Sequence, residues 1–183
     1  MSTLKQQYIT TILPDLKVKL GRGNIFDVPK ITKATLNVGL GATKDPKFID
    51  VIIDTLRRIS GQAPVKTLSR KSIAGFKVRE NMVVGAMVTL RGERMWSMVE
   101  KLVHVAFPRV RDFRGISESA IDASGNFHYG FREHTAFPEV GTNEIESIHG
   151  LQISITSTAR THEEGLALFK ALGFPFKTDE IQK

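Results

Sequence analysis

Thr32-Lys-Ala-Thr-Leu-Asn-Val38 alternates without a break, so that in an extended chain Ala34, Leu36 and Val38 share one side and Lys33, Thr35 and Asn37 the other. That is the pattern of a half-buried strand with a polar outer face. Two further stretches repeat it. Met82 to Leu90 returns to alternation, and Leu151, Ile153 and Ile155 alternate with Gln152, Ser154 and Thr156. Assembled in register, these strands place Lys33, Thr35, Asn37, Thr89, Arg91, Gln152, Ser154 and Thr156 on a face opposite the core.

Helical signals lie between the strands. Leu4, Tyr8, Ile9, Ile12, Leu13, Leu16 and Leu20 have helical spacing interrupted by Pro14, which one kinked helix or two short ones would satisfy. Gly39 and Gly41 turn the chain, Asp45 with Pro46 is a helix start, and Ile49, Ile52, Ile53, Leu56 and Ile59 form a stripe ending at Gly61. Met95, Met98, Val99 and Leu102 mark a helix closed off by Pro108. At the C-terminal end Thr161 and Glu164 form a capping box, and Gly173 with Pro175 stops the helix. The expected fold is α+β, a single domain over 1–183 with an antiparallel or mixed sheet and helices packed on one face. Val65 to Leu68 and Met82 to Leu90 are expected to flank residues 69–79, an extended, projecting basic loop, as a long hairpin. Residues 109–150, with five phenylalanines from Phe107 to Phe137, are expected to be irregular.

Charge is concentrated in one part of the chain. The formal net charge is +7, and Lys66 to Arg114 holds eleven Lys and Arg against Glu80, Glu93, Glu100 and Asp112, so the whole excess lies there. A basic excess so confined is the electrostatic footprint of a polyanionic partner. No cysteine is present, which excludes disulfides, thiolate nucleophiles and zinc-thiolate sites and favours a reducing compartment. The longest apolar run, Met82 to Val88, is too short to span a bilayer, and charges break up the N-terminal segment. A cytoplasmic protein without a membrane partner is expected.

The usual catalytic constellations do not occur. Gly39-Leu-Gly41 has Lys44 where a dinucleotide loop needs its third glycine, and neither a Gly-Lys-Ser/Thr loop nor a Gly-x-Ser-x-Gly elbow is found. His104, His128, His134, His149 and His162 lack metal-ligand spacing. Glu163 and Glu164 serve a helix start, where the dipole favours them. Phe127-His-Tyr-Gly-Phe131 is similar to the aromatic half of an RNA-recognition strand but lacks the preceding basic-Gly pair, so its rings and Trp96 are read as core. No enzyme, cofactor, metal or small-molecule substrate is expected.

Three segments carry the basic chemistry. Lys66 to Arg79 holds five positive charges and no acid, with serines, Gly75 and Phe76 among them; Arg offers a fork to phosphate oxygens and Ser a hydrogen bond. Thr89-Leu-Arg91-Gly-Glu-Arg94 places a hydroxyl and a guanidinium on one strand face and a second arginine at a helix start. Pro108-Arg-Val-Arg111-Asp-Phe-Arg114-Gly115 gathers arginines around one acid.

Leu36-Asn-Val-Gly39, Ser60-Gly-Gln-Ala-Pro64, Arg70-Lys-Ser-Ile-Ala-Gly-Phe-Lys-Val-Arg79, Val88-Thr-Leu-Arg-Gly-Glu-Arg-Met-Trp96, Pro108 to Gly115, Phe137-Pro-Glu139 and Gly173-Phe-Pro-Phe176 resemble, in order, the signature segments of the L-five (universal) family of bacterial-type large-subunit ribosomal proteins. The resemblance runs over nearly the whole chain, with 109–150 the stretch where the family varies. It implies an RNA-binding protein of the central protuberance, in contact with 5S rRNA through Asn37, Gln62, Thr89, Arg91 and Arg94. It further implies contact with P-site tRNA through Arg70, Lys71, Ser72, Phe76, Lys77 and Arg79. A bridge to small-subunit ribosomal protein thirteen would lie within 109–148, with Arg111 and Arg114 as candidates, and large-subunit rRNA is a further expected partner. The alternative is a free-standing RNA-binding regulator using the same sheet and loop.

Overall fold

The computed structural model describes residues 3–40, 46–140 and 148–177. Its order is α1 (Thr3–Gln7), α2 (Leu13–Lys19), β1 (Ile31–Gly39), α3 (Pro46–Ser60), β2 (Val65–Leu68), β3 (Val83–Leu90), α4 (Gly92–Lys101), α5 (Phe107–Arg109), β4 (Phe127–Phe131), β5 (Leu151–Ser157) and α6 (His162–Ala171). The strands form one five-stranded antiparallel sheet in the order β2-β3-β1-β5-β4, and the fold is α+β as expected. The expected cap Asp45 and the turn glycine Gly41 lie outside the described residues.

Alternation did decide the strands. Ala34, Leu36 and Val38 are buried on β1, Ala86, Val88 and Leu90 on β3, and Leu151, Ile153 and Ile155 on β5. Between them, Thr35, Asn37, Thr89 and Ser154 are half-buried and Gln152 exposed. Because successive side chains leave a strand on opposite sides, these polar residues lie away from the packed aliphatics.

Contacts divide the chain into two compact units, one of residues 1–34, 91–129 and 154–183, the other of 35–90 and 130–153. In the second, α3 packs on β3, and Ile52, Leu56 and Ile59 are buried along its apolar stripe. β2 pairs antiparallel with β3, Val65 opposite Met87 and Lys66 opposite Ala86, with a register shift between Thr67 and Leu68. Gly85 is required at this crowded place, since a Cβ there would stand 2.7 Å from Thr67 Oγ1 and 2.8 Å from the Val38 carbonyl oxygen.

The first unit holds the aromatic core. Phe127 lies 4.9 Å from Phe174, 5.3 Å from Phe169 and 6.4 Å from Phe107 by ring centroids, and Phe107 lies 5.2 Å from Tyr129. Phe107, Phe113 and Phe127 thus form one cluster closed by the C-terminal Phe174, while Phe131 and Phe137 pair with each other in the second unit. Tyr8 and Trp96 pack at 5.1 Å, and the Tyr8 hydroxyl, whose pKa burial pushes up to about 12, donates to the Pro29 carbonyl at 2.9 Å.

Of the two helices with an internal proline, the first takes the continuous one of its two expected forms, and the second passes the Pro108 expected to close it. Neither breaks at its proline. A π-turn, Tyr8–Ile12, joins α1 to α2 just before Pro14, and another, Leu102–Ala106, joins α4 to α5 just before Pro108, so the second helix runs through Pro108 to Arg109. A proline ring clashes with the carbonyl four residues back; the wider i to i+5 turn moves that carbonyl aside and keeps the helix continuous.

Residues 69–79 also correct the expectation, because they form a folded tip rather than an extended loop. Ser69 and Met82 are joined by Ser69 N–H to the Met82 carbonyl (2.8 Å), and Asn81 N–H returns to the Ser69 carbonyl (2.9 Å). Beyond them Ile73 pairs with Val78 around a 3-10 turn, Ala74–Phe76. Of the capping box expected at α6, Thr161 Oγ1 accepts from Glu164 N–H, while the Glu164 carboxylate accepts from the N–H of Arg160, one residue before the cap.

Candidate nucleic-acid interface

The hairpin tip is built by its own backbone and by serines. Ser69 Oγ donates to the Lys71 carbonyl (2.8 Å), and Ser72 Oγ accepts from Glu80 N–H (2.9 Å), which ties the two sides of the tip together. Lys77 and Asn81 take positive φ, 53° and 62°, and so reverse the chain within a few residues. Arg70, Lys71, Ser72, Lys77 and Arg79 are all exposed, as are Phe76 at 71% and Ile73, three residues before it, at 48%. The structure therefore brings the six expected tip residues onto one short hairpin. Ile73 is an addition to the residues expected at the tip.

Of the five residues expected at the sheet, three fall in the unit of residues 35–90 and 130–153. Asn37 is half-buried on β1, Thr89 is half-buried on β3, and Gln62, after α3, donates from Nε2 to the Thr89 carbonyl at 3.3 Å. That bond fixes the glutamine beside Thr89. Arg91 and Arg94 belong to the other unit. Arg91 is extended (φ −138°, ψ 167°) and exposed at the N-terminal boundary of α4, where its side chain makes no capping bond, and Arg94 is exposed one turn on. Glu93 between them is ion-paired with Lys5. The Lys5 ammonium thereby offsets the acid that would repel a phosphate there.

Arg111 and Arg114 are exposed in the turn after α5, on either side of Asp112, whose φ is 54°. They lie in the first unit, together with the phenylalanine cluster that anchors the turn through Phe113, stacked on Phe107 at 5.8 Å.

One polar group escaped the sequence reading. His128 on β4 approaches Ser154 Oγ on β5 through Nδ1 (3.0 Å) and Asp122 through Nε2 (3.4 Å). Slight burial acts to raise the Asp122 carboxyl, but bonds from the Asn126 side chain and backbone, His128 and the Ser124 N–H outweigh it and hold the group below its usual range. The three residue types are those of a nucleophilic triad. Here the carboxylate is spent on a turn, and the imidazole braces one strand against the next. No sequence signal marks it, because the residues are 26 and 6 positions apart in sequence on three segments. Among the described residues no group of acids and histidines is placed to hold a metal ion, and no helix is long and apolar enough to cross a membrane.

Comparison with known proteins agrees over the length of the chain. Residues 24–79 match the family model described as Ribosomal protein L5, and residues 83–176 match the model of the C-terminus of the same ribosomal family. Proteins named large ribosomal subunit protein uL5 from Francisella tularensis subsp. novicida (strain U112) and Francisella philomiragia subsp. philomiragia are each 49% identical over 179 residues, which is 97% of this chain and the whole of each relative. The alternating strands, the arginines at the start of α4 and the basic hairpin tip are thus features of a chain that belongs to the L5 family of large-subunit ribosomal proteins.

Proposed function

We propose that this ribosomal protein holds 5S rRNA in the central protuberance through Asn37, Gln62, Thr89, Arg91 and Arg94, and reaches P-site tRNA with the hairpin tip of Arg70, Lys71, Ser72, Phe76, Lys77 and Arg79. Arg111 and Arg114 then serve an intersubunit bridge to small-subunit ribosomal protein thirteen, and large-subunit rRNA is a further partner. The work is positioning rather than catalysis, carried out in the cytoplasm as part of the ribosome. Its supporting observation is the split between charge and core: the exposed bases of the tip take no part in burial, while the amide of Asn37 and the hydroxyls of Thr35 and Thr89, suited to phosphate and 2′-OH, lie on the side of β1 and β3 away from the core.

Filter binding of the purified chain to 5S rRNA tests this reading. Engagement of roughly six to ten phosphates predicts that affinity falls by a factor on the order of a thousand or more between low and near-physiological salt. The native protein should sediment with the large subunit through a moderate salt wash. Recovery of the protein free of ribosomes, with RNA binding intact, would instead favour the stand-alone regulator.

A further inference from the structure

Phe26 is the most exposed large apolar residue among the described ones, at 85%, although the turn that carries it is firmly braced. Asn24 caps the 3-10 turn Ile25–Asp27 by accepting from Phe26 N–H at 3.0 Å, and Val28 N–H closes it on the Ile25 carbonyl at 3.3 Å. Asp27 is held by Arg22 at 2.8 Å and by Arg160 at 3.6 Å, so the turn is pinned both to the end of α2 and to the residue before the α6 cap. The turn also packs against α2, whose Val18 is 82% exposed. A side chain left in water by a mobile loop needs no explanation. An aromatic ring presented by a turn with this many restraints is set in place before any partner arrives.

Unpaired bases outnumber unpaired acids on this stretch. Both acids of the turn region, Asp27 and Glu164, are consumed by Arg22, with Arg160 sharing Asp27. Lys17, Lys19 and Lys30 form no ion pair with a described residue, and only Asp15 opposes them on this stretch. An exposed ring on a turn flanked in sequence by unpaired lysines suits single-stranded nucleic acid, with the ring stacking on a base and the cations meeting the flanking phosphates. A protein partner would call for a wider apolar area than Val18, Ile25 and Phe26 offer, with Lys17, Lys19 and Lys30 around them in sequence.

We infer that Phe26, with Lys17, Lys19 and Lys30, forms a second RNA contact, a stacking post for an unpaired base, separate in sequence from the residues proposed for 5S rRNA and for tRNA. The inference rests on the chain being an RNA-binding protein and adds where else on it RNA is held.

Fluorescence anisotropy with a labelled single-stranded oligoadenylate, beside filter binding to 5S rRNA, tests it on the full chain. Because Phe26 is exposed, Phe26→Ala should melt as wild type does. Its affinity for oligoadenylate should fall about tenfold, within the range for loss of one stacked base, and Phe26→Trp should restore it. The new indole should also lose emission on adding RNA, a signal that buried Trp96 does not supply. Wild-type affinity in Phe26→Ala overturns the stacking post, as does Phe26→Leu restoring binding as fully as Phe26→Trp, since that marks apolar docking without a ring. If wild type holds 5S rRNA while oligoadenylate binding ignores position 26, only this inference fails. If wild type binds neither RNA, the proposed function fails with it.

Discussion

Ser69 to Met82 and Val83 to Leu90 lie on one hairpin, yet only the second contributes to the core. Ala86, Val88 and Leu90 are at most 2% exposed, whereas every residue from Arg70 to Lys77 is exposed. The strand is held by its side chains, and the tip by short-range backbone bonds and two serine hydroxyls. Where side chains carry the fold, chemistry can vary only on the opposite face; where the backbone carries it, nearly every side chain is left to a partner. The β3 end is therefore sensitive to volume and the tip end to charge.

Leu90→Ala should break the comparison most severely from the strand side. Its side chain is fully buried, so loss of its contacts and the residual cavity should cost about 2–5 kcal/mol, read as a lower melting temperature or denaturation midpoint. A melt equal to wild type would mean that Leu90 does not pack as described. Gly85→Ala tests crowding in the same strand. The added methyl meets the Val38 carbonyl, which a rotamer change cannot move, and should cost roughly 1–3 kcal/mol, although alanine normally suits a strand better than glycine.

Arg91→Ala probes the boundary between the two regimes. The residue is exposed and caps nothing, so stability should hold while 5S rRNA binding weakens by about 1–3 kcal/mol, as for loss of a charge-assisted hydrogen bond. Filter binding at one fixed salt concentration measures it, and unchanged affinity removes Arg91 from the site.

How much of this could be read from the residues follows the same division. β1, β3 and β5 were legible because a half-buried strand writes its two faces into alternate positions, and those faces also gave Asn37 and Thr89. The folded form of the tip was not legible. Its bonds run between backbone groups and leave no period, and the αL residues that turn it are Lys77 and Asn81 rather than glycines. Residues 109–140 were opaque for another reason: Phe107, Phe127 and Phe174 meet only across the fold, so no local window contains their pattern. Pro108 misled, since it announces a helix end that a π-turn allows the backbone to pass, whereas Pro14 left one kinked helix or two short ones open and a π-turn decides for the first.

The smallest expected effect on the fold belongs to the tip, and it is the decisive one. Replacing Arg70, Lys71, Lys77 and Arg79 together by Gln should move stability by only about half a kcal/mol, because all four are exposed. Binding to 5S rRNA should persist apart from a loss of long-range attraction that salt screens. The direct measurement is the dissociation rate of P-site tRNA from ribosomes assembled with this variant. Faster release from particles that retain 5S rRNA is the predicted result; release at the wild-type rate, with 5S rRNA lost at every salt concentration, would contradict the division of work between strand face and tip.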